Sequence, residues 1–153
     1  MLNCPIGIIG GSGFYDLASG LKEMKGETPY GAPSEKIAVG KIGRRAVAFL
    51  PRHNKTHDIP PHKINYRANI WALKSLGVNH LLTVTAAGSL QVKYQQGDFL
   101  VVDQFIDRTW GRADSFYEGP RATHVSAAYP YCSEINQLIY HQGKKLKLRI
   151  FKQ

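Results

Sequence analysis

Segments typical of strands alternate with segments typical of helices along this chain, and that alternation is the feature that most constrains its fold. Apolar runs predict strands at residues 5–9, 36–41, 46–50, 78–87 and 98–106, a weaker strand at 122–127 and the start of another at 149–151. Two helices are predicted, one from Asn65 to Gly77 and one from Ser133 to about Leu146. Each begins at a residue type that can cap a helix. This interleaving predicts an α/β fold with at least partly parallel strands.

The turns between these elements are also indicated by residue type. Gly43 and Arg44 separate two strand-like runs and predict a hairpin. Residues 52–62 are predicted to be a polar loop, because Pro60 and Pro61 forbid a helix there. In the helix that follows, the spacing predicts an apolar face with the members Ile70, Leu73 and Leu76. No linker-like segment interrupts residues 1–153, so we expect a single domain.

The net charge of +9 first suggests an anionic partner, but five of those charges lie in residues 143–153, which hold no acidic residue. A solvated basic face is therefore favoured over a nucleic-acid-binding stripe, and no nucleic-acid motif is present. Cys4 and Cys132 are too few for a disulfide framework and fit no zinc pattern. With no signal-like start and no apolar run of membrane length, we expect a cytoplasmic protein without a membrane partner.

A glycine cluster, Gly10-Gly11-Ser12-Gly13, follows the first predicted strand. Successive backbone N–H groups in such a turn can bind an anion, although a plain tight turn has the same composition. A dinucleotide fingerprint is excluded, because its third glycine would fall at Asp16. A P-loop is excluded as well, because no Gly-Lys-Ser/Thr follows.

Arg52 and His53 follow a strand end, where a guanidinium can bind a phosphate in bidentate fashion. With His57, His62 and Lys55, they concentrate positive potential in one loop. A metal site is a rival interpretation, but the four-residue spacing of His53 and His57 suits a helix rather than this proline-containing loop. A solvated loop without a ligand remains the other alternative.

Thr85 and the small residues after it end the most apolar predicted strand. Ligands of α/β sheets collect beyond the carboxyl ends of strands, so Ser12, Arg52 and Thr85 form a hypothetical shared site. A Thr bonded within its own sheet is the alternative. Asp107 and Arg108 follow another predicted strand end, where they could form a structural ion pair or line one side of a ligand site. Tyr117 and His124 are isolated candidates for covering a sugar ring, and no G-x-S-x-G elbow supports serine hydrolysis.

Together these segments resemble the methylthioadenosine phosphorylase and methylthioinosine phosphorylase branch of the purine nucleoside phosphorylase family. The resemblance covers essentially the whole chain in the family's order. It includes the specific run from Asn65 to Lys74, and the other matching stretches are residues 6–13, 50–53, 60–64, 85–90, 97–98, 103–109 and 130–132.

The resemblance implies a three-layer α/β sandwich around a mixed β-sheet, commonly assembled as a trimer. It implies phosphorolysis of a purine nucleoside with inorganic phosphate as co-substrate and no other cofactor. The phosphate-binding residues it implies are Ser12, Arg52, His53, Thr85 and the backbone of Ala86. It places His57 near phosphate and ribose as the catalytic residue, and assigns Ala87, Gly88 and His124 to substrate binding, with His124 contributed to a neighbouring subunit's pocket.

Members of this family continue well past residue 153. The further residues supply a Met and Thr pair at the ribose and phosphate and the acidic residues that bind and protonate the purine. We therefore expect this chain to be a C-terminally truncated member. Two hypotheses follow: a phosphorylase acting on methylthioadenosine, methylthioinosine or a purine nucleoside in general, or an inactive chain that retains only a phosphate site or an oligomer-forming surface.

Overall fold

The structure is a computed structural model that describes residues 4–11, 13–14 and 20–152. In these residues it contains seven strands, two α-helices and a 3₁₀ turn at Pro61–Lys63. The elements are β1 (Ile6–Gly10), β2 (Lys22–Met24), β3 (Ile37–Ile42), β4 (Arg45–Pro51), α1 (Tyr66–Ser75), β5 (His80–Thr83), β6 (Phe99–Val101), α2 (Ser133–Lys145) and β7 (Ile150–Lys152).

Five strands form a mixed sheet in the order β2-β3-β4-β1-β5. β1 lies between β4 and β5 and is parallel to both, whereas β3 is antiparallel to β2 and β4. The predicted mixed, partly parallel α/β sheet is therefore confirmed. The predicted hairpin is confirmed too, because β3 and β4 pair antiparallel around Gly43, whose φ of +58° suits a glycine.

The core of this sheet is built from continuous apolar runs rather than alternating ones. Val47 to Pro51 of β4 are all buried, as is expected for a strand covered on both faces. Cys4, Ile9, Leu50 and Leu73 belong to the same buried cluster.

α1 begins at the predicted capping residue. The Asn65 side chain accepts a hydrogen bond from the Ala68 N–H at 3.2 Å, and Gly77 has a φ of +87° just after the helix. The apolar face differs from the prediction, because Ile70 is 37% exposed while Asn69 is 1% exposed. Asn69 can be buried because its amide both accepts from the Ser34 N–H at 2.8 Å and donates to Ser34 Oγ at 2.9 Å.

Backbone contacts group the chain into two compact units: the first is Met1–Ala86 with Gly111–Phe116, and the second is Ala87–Trp110 with Tyr117–Gln153. The first unit contains the five-stranded sheet and α1. In the second unit β6 and β7 pair in parallel, which agrees with the predicted strand at residues 149–151. There Gly143 of α2 lies so close to Ile150 that an added Cβ would approach Ile150 Cδ1 to 2.7 Å. The expectation of a single domain stays a prediction.

Several predicted boundaries were wrong. The strand expected at residues 78–87 is limited to His80–Thr83, and the strand expected at 98–106 to Phe99–Val101. Residues 122–127 form no strand: they are exposed, and none of the described strands pairs with them. The N-cap of α2 is Cys132 rather than Ser133. The loop expected at 52–62 runs into a 3₁₀ turn, because Pro61 tolerates the first position of a helical turn.

None of the helices in the described ranges combines the length and apolar character needed to cross a membrane. Neither cysteine forms a disulfide; Cys4 is buried and Cys132 is exposed.

Candidate functional site

The candidate site lies where three neighbouring parallel strands of the first unit end. Gly10 of β1 pairs with Pro51 of β4, and Ile9 pairs with Thr83 of β5, so all three strands end at the same edge. The chain continues from these ends with Gly11, Arg52 and Val84. Hydrogen bonds hold the ends together: the Arg52 N–H donates to the Gly10 carbonyl at 2.9 Å, and the Val84 N–H donates to the Ile9 carbonyl at 3.1 Å.

The half-buried guanidinium of Arg52 spans this edge. Its Nη1 donates to the Val84 carbonyl at 3.1 Å, its Nη2 to Thr85 Oγ1 at 3.2 Å, and its Nε to His53 Nε2 at 3.2 Å. A guanidinium has five N–H donors, so these three bonds orient the group and, as far as residues 4–11, 13–14 and 20–152 are concerned, leave two N–H donors for a ligand. The predicted proximity of Arg52 and Thr85 is therefore present in the structure.

The hydrogen bonds of His53 fix its tautomer. Because Nε2 accepts from Arg52, the ring hydrogen lies on Nδ1, which donates to the Ile59 carbonyl at 2.8 Å. The exposed ring of His57 lies beside it, with 4.7 Å between the ring centroids and an angle of 46° between the planes. His57 adopts a left-handed backbone conformation, with a φ of +58°. The structure thus brings Arg52, His53, His57 and Thr85 together.

Ala86 and Gly11, which were also predicted to contribute to an anion site, lie at this edge too. The exposed Thr85 hydroxyl, which accepts from Arg52, donates to the Ala86 carbonyl at 3.3 Å. Gly11 lies near the guanidinium, because a Cβ added there would be 3.6 Å from Arg52 Nη2. Ser12 was also predicted to contribute here, and it lies outside the described residues.

Not every cation of the loop adds free positive charge to the site. The Lys55 ammonium forms an ion pair with Glu23, which raises the pKa of Lys55 and lowers that of Glu23. Lys36 Nζ is a second partner of Glu23, at 3.4 Å. The expectation that Lys55 adds to the positive potential therefore needs correction: the positive charge held at the strand ends is that of Arg52. His62 is exposed in the 3₁₀ turn.

The remaining predicted residues belong to the second unit. Ala87, Gly88 and His124 are exposed there in segments without regular structure. Asp107 Oδ1 accepts from the Thr109 N–H at 2.8 Å, and the pair of Asp107 with Arg108 stays a prediction. The roles of Ala87, Gly88 and His124 in substrate binding stay predictions.

Two backbone carbonyls escaped the sequence-based prediction. The Val84 carbonyl accepts from Arg52, and the Ile59 carbonyl fixes the tautomer of His53. Every residue has a backbone carbonyl, so residue type does not show which carbonyls accept a bond. Had the end of β5 been predicted at Thr83, the Val84 carbonyl would have been expected beyond the strand end, near Arg52. Among the described residues, no three His, Cys, Asp or Glu side chains are grouped as metal ligands.

Comparisons with known proteins agree with this architecture. Residues 5–152 match the family model described as the phosphorylase superfamily, and the chain belongs to that superfamily. It is 56% identical over 146 residues to the S-methyl-5′-thioadenosine phosphorylase of Saccharolobus solfataricus, which covers 94% of this chain and 54% of the relative. The enzyme of the same name from Thermofilum pendens is 54% identical over 148 residues, covering 95% of this chain and 56% of the relative.

Solved structures give the same result. Methylthioadenosine phosphorylase from Schistosoma mansoni in its apo form superimposes with a TM-score of 0.90 at 40% identity, covering 97% of this chain and 56% of that one. A mutant of the adenosine/methylthioadenosine phosphorylase of Schistosoma mansoni in complex with methylthioadenosine gives a TM-score of 0.88, also at 40% identity, and covers 95% of this chain and 53% of that one. The resemblance to the methylthioadenosine phosphorylase family is confirmed, and the chain spans about half the length of the relatives it matches.

Proposed function

We propose that this chain supplies the phosphate-binding part of a nucleoside phosphorylase acting on 5′-methylthioadenosine or 5′-methylthioinosine. In the reaction, a phosphate oxygen forms a bond to the anomeric carbon of the sugar while the bond from that carbon to the purine nitrogen breaks. The electron pair of the broken bond goes to the base, which takes up a proton. The products are the free purine and 5-methylthioribose 1-phosphate.

The observation that carries this proposal is the arrangement of Arg52. Its guanidinium is held at the shared edge of β1, β4 and β5 by bonds to His53, Val84 and Thr85. Carboxyl ends of parallel strands are where α/β sheets bind ligands, and a fixed guanidinium fork matches two oxygens of a phosphate. Two of its N–H donors and the backbone near Gly11 would surround one anion, and the exposed Thr85 hydroxyl would join them by turning its hydrogen from the Ala86 carbonyl to the phosphate.

A phosphate bound there has a direct effect on the reaction rate. Breaking the bond to the base leaves positive charge on the sugar, and a phosphate dianion beneath the sugar stabilises that charge more than it stabilises the neutral nucleoside. Arg52 orients the anion, and its bonds to the protein are made before the substrate binds. The exposed His57 next to His53 is proposed to contact the phosphate and ribose.

The rest of the assignment rests on the family resemblance. We propose that Ser12 and the Ala86 backbone complete the phosphate site, and that Ala87, Gly88 and His124 contribute to nucleoside binding. A homotrimer in the cytoplasm, with phosphate as co-substrate and no other cofactor, is proposed on the same basis.

A second candidate function follows from the length of the chain. The chain spans 54% of the Saccharolobus solfataricus relative. If the groups that protonate the purine lie in the part of the relatives that this chain does not cover, the chain would bind phosphate without turning over a nucleoside. General acid catalysis contributes about 10²–10⁴-fold to such reactions.

The two candidates are separated by measuring phosphate binding and base release on the same folded chain. Phosphate-dependent release of adenine from methylthioadenosine, or of hypoxanthine from methylthioinosine, supports the phosphorylase. Phosphate binding without base release supports the second candidate. Failure to bind phosphate contradicts both. The variant Arg52→Ala removes the proposed phosphate-binding guanidinium, and Arg45→Ala is its matched control. Arg45 is an exposed arginine at the start of β4, and its replacement changes the net charge equally.

A further inference from the structure

The loop that carries both histidines of the candidate site, residues 53–59, is closed by two layers of hydrogen bonds. In the first layer, the Ile59 N–H donates to the His53 carbonyl at 3.4 Å, and His53 Nδ1 donates to the Ile59 carbonyl at 2.8 Å. These bonds bring the two ends of the loop together. They also involve the imidazole that touches Arg52, so the geometry of the loop and the orientation of His53 depend on each other.

The second layer joins Asn54 and Asp58. The Asn54 amide donates to Asp58 Oδ1, and Asn54 Oδ1 accepts from the Asp58 N–H at 3.2 Å. Thr56 lies between them with its hydroxyl 2.7 Å from Asp58 Oδ2 and 3.1 Å from Asn54 Oδ1. The single hydroxyl hydrogen favours the nearer carboxylate, which is the stronger acceptor.

This second layer restrains a loop backbone that is left-handed at two positions. Asn54 and His57 have φ values of +60° and +58°, in a region that few non-glycine residues adopt, although Asn and His do so more often than most. Such conformations persist only where surrounding interactions determine them. The bonds from Asn54 to Asp58 span His57, so they restrain the backbone from which the His57 ring reaches His53.

We propose that Asn54 and Asp58 are positioning residues: by closing the loop they hold the His57 ring beside His53 and the Ile59 carbonyl against His53 Nδ1, and the bond to that carbonyl keeps His53 in the tautomer that accepts from Arg52. This inference rests on the proposed function where it concerns phosphate, but the effect on the histidines is independent of phosphate. The side-chain hydrogen bonds of Arg52 within the described residues go to His53, Val84 and Thr85, so Asn54 and Asp58 act through the loop backbone.

The test uses variants that separate the two contributions of Asn54. Asn54→Ala removes the side-chain bonds and places an alanine in the left-handed region, whereas Asn54→Gly removes the same bonds but relieves the backbone strain. Asp58→Ala removes the opposite partner. Asn79→Ala is the control, because Asn79 is exposed, lies outside the loop and is not among the residues with positive φ.

The first readout is the imidazole ¹⁵N spectrum of the full chain without ligand. In the parent protein we expect His53 to give the separated nitrogen shifts of one neutral tautomer with hydrogen on Nδ1. Asn54→Ala and Asp58→Ala should move these shifts towards the averaged values of exchanging tautomers and alter the His57 signals. Asn54→Gly should show a smaller change, and Asn79→Ala none. Unchanged His53 and His57 shifts in folded Asn54→Ala and Asp58→Ala would overturn the positioning role.

The second readout is the affinity for inorganic phosphate measured by titration calorimetry. We expect Asn54→Ala and Asp58→Ala to weaken it by about tenfold, an effect on the scale of one lost hydrogen bond to a charged group. If the parent binds phosphate and both variants bind it equally well, the link from the loop to the phosphate site is wrong. If the parent binds no phosphate, the proposed function fails, and the histidine spectra still decide whether Asn54 and Asp58 position the rings.

Discussion

At the scale of single residues, Arg52 connects three strand ends and a histidine through side-chain and backbone bonds. Its environment could be predicted only in part from the sequence. The arginine after a strand end and the threonine after another are visible as residue types. The Val84 and Ile59 carbonyls are not, because any residue supplies a carbonyl and only the fold decides which ones converge.

Replacing Arg52 tests the guanidinium directly. Arg52→Ala should weaken phosphate binding by roughly 10–100-fold, since hydrogen bonds to charged groups contribute about 1.5–3 kcal/mol each. Arg52→Lys should recover part of the loss, because an ammonium keeps the charge but cannot bind both Val84 and Thr85 with a planar fork. Titration calorimetry measures both, and an affinity as low in Arg45→Ala as in Arg52→Ala would show that only net charge matters.

At the scale of elements, local signals predicted best. Asn65 caps α1 where the sequence indicated, because a cap depends on the bond from one side chain to an N–H three residues on. The end of β5 was misplaced, because it depends on a partner: β5 pairs with β1 only from Ile6 to Ile9. After Thr83 one further bond, from the Val84 N–H to the Ile9 carbonyl, joins the chain to β1, and residues 85–87 pair with none of the described strands, so hydrophobicity alone extended the predicted strand too far.

The cap of α1 also anchors a distant loop. Asn65 Nδ2 donates to the Tyr30 carbonyl at 2.7 Å and to the Ala32 carbonyl at 3.3 Å. Asn65→Ala should therefore lower the free energy of unfolding by about 1–3 kcal/mol, which exceeds the loss of a cap alone. Asn65→Ser keeps a cap acceptor and loses the two donors without placing a negative oxygen against these carbonyls, so a smaller loss is expected. Urea unfolding measures both, and equal stability of Asn65→Ala and the parent would contradict this assignment.

In the second unit, a charged pair links the starts of β6 and β7. Arg149 Nε donates to Asp98 Oδ1 at 2.6 Å and Nη2 to Oδ2 at 3.1 Å, and this arginine lowers the pKa of Asp98. Because the folded pKa lies below the unfolded one, the stabilisation is present above about pH 4 and is lost as pH falls through the folded value.

Amide hydrogen exchange at Phe99 reports this pair, because its N–H donates to the Arg149 carbonyl at 2.8 Å. Below about pH 4 the protection of this amide, corrected for the intrinsic exchange rate, should decrease in the parent. In Arg149→Met it should be lower at neutral pH and change less with acid. A parent whose protection is independent of pH across this range would contradict the role of the pair.

At the scale of the whole molecule, large apolar side chains are unevenly covered. In the second unit Leu90, Val92 and Trp110 are each more than 90% exposed. β6 and α2 add exposed apolar residues such as Phe99 and Leu138. Exposed apolar side chains that form a contiguous patch are uncommon in isolated proteins, and the chain spans about half the length of its curated relatives.

We therefore expect the isolated chain to bind the dye ANS in its folded state. NMR titration should place the dye near amides of the second unit rather than near the β1–β5 sheet, whose core is buried. The enhancement should disappear on unfolding in urea. Absence of dye binding by the folded chain would mean that these side chains are covered in solution.

A phosphate titration followed through backbone amides and the Arg52 Nε–H signal by ¹H–¹⁵N NMR shows whether the ends of β1, β4 and β5 bind the anion. We predict saturable changes that are largest at Gly11, Arg52, Thr85 and Ala86, and that require roughly 10–100-fold more phosphate in Arg52→Ala at the three sites other than Arg52. Changes confined to the basic residues 144–152, or no saturable change at the ends of β1, β4 and β5, would contradict this prediction.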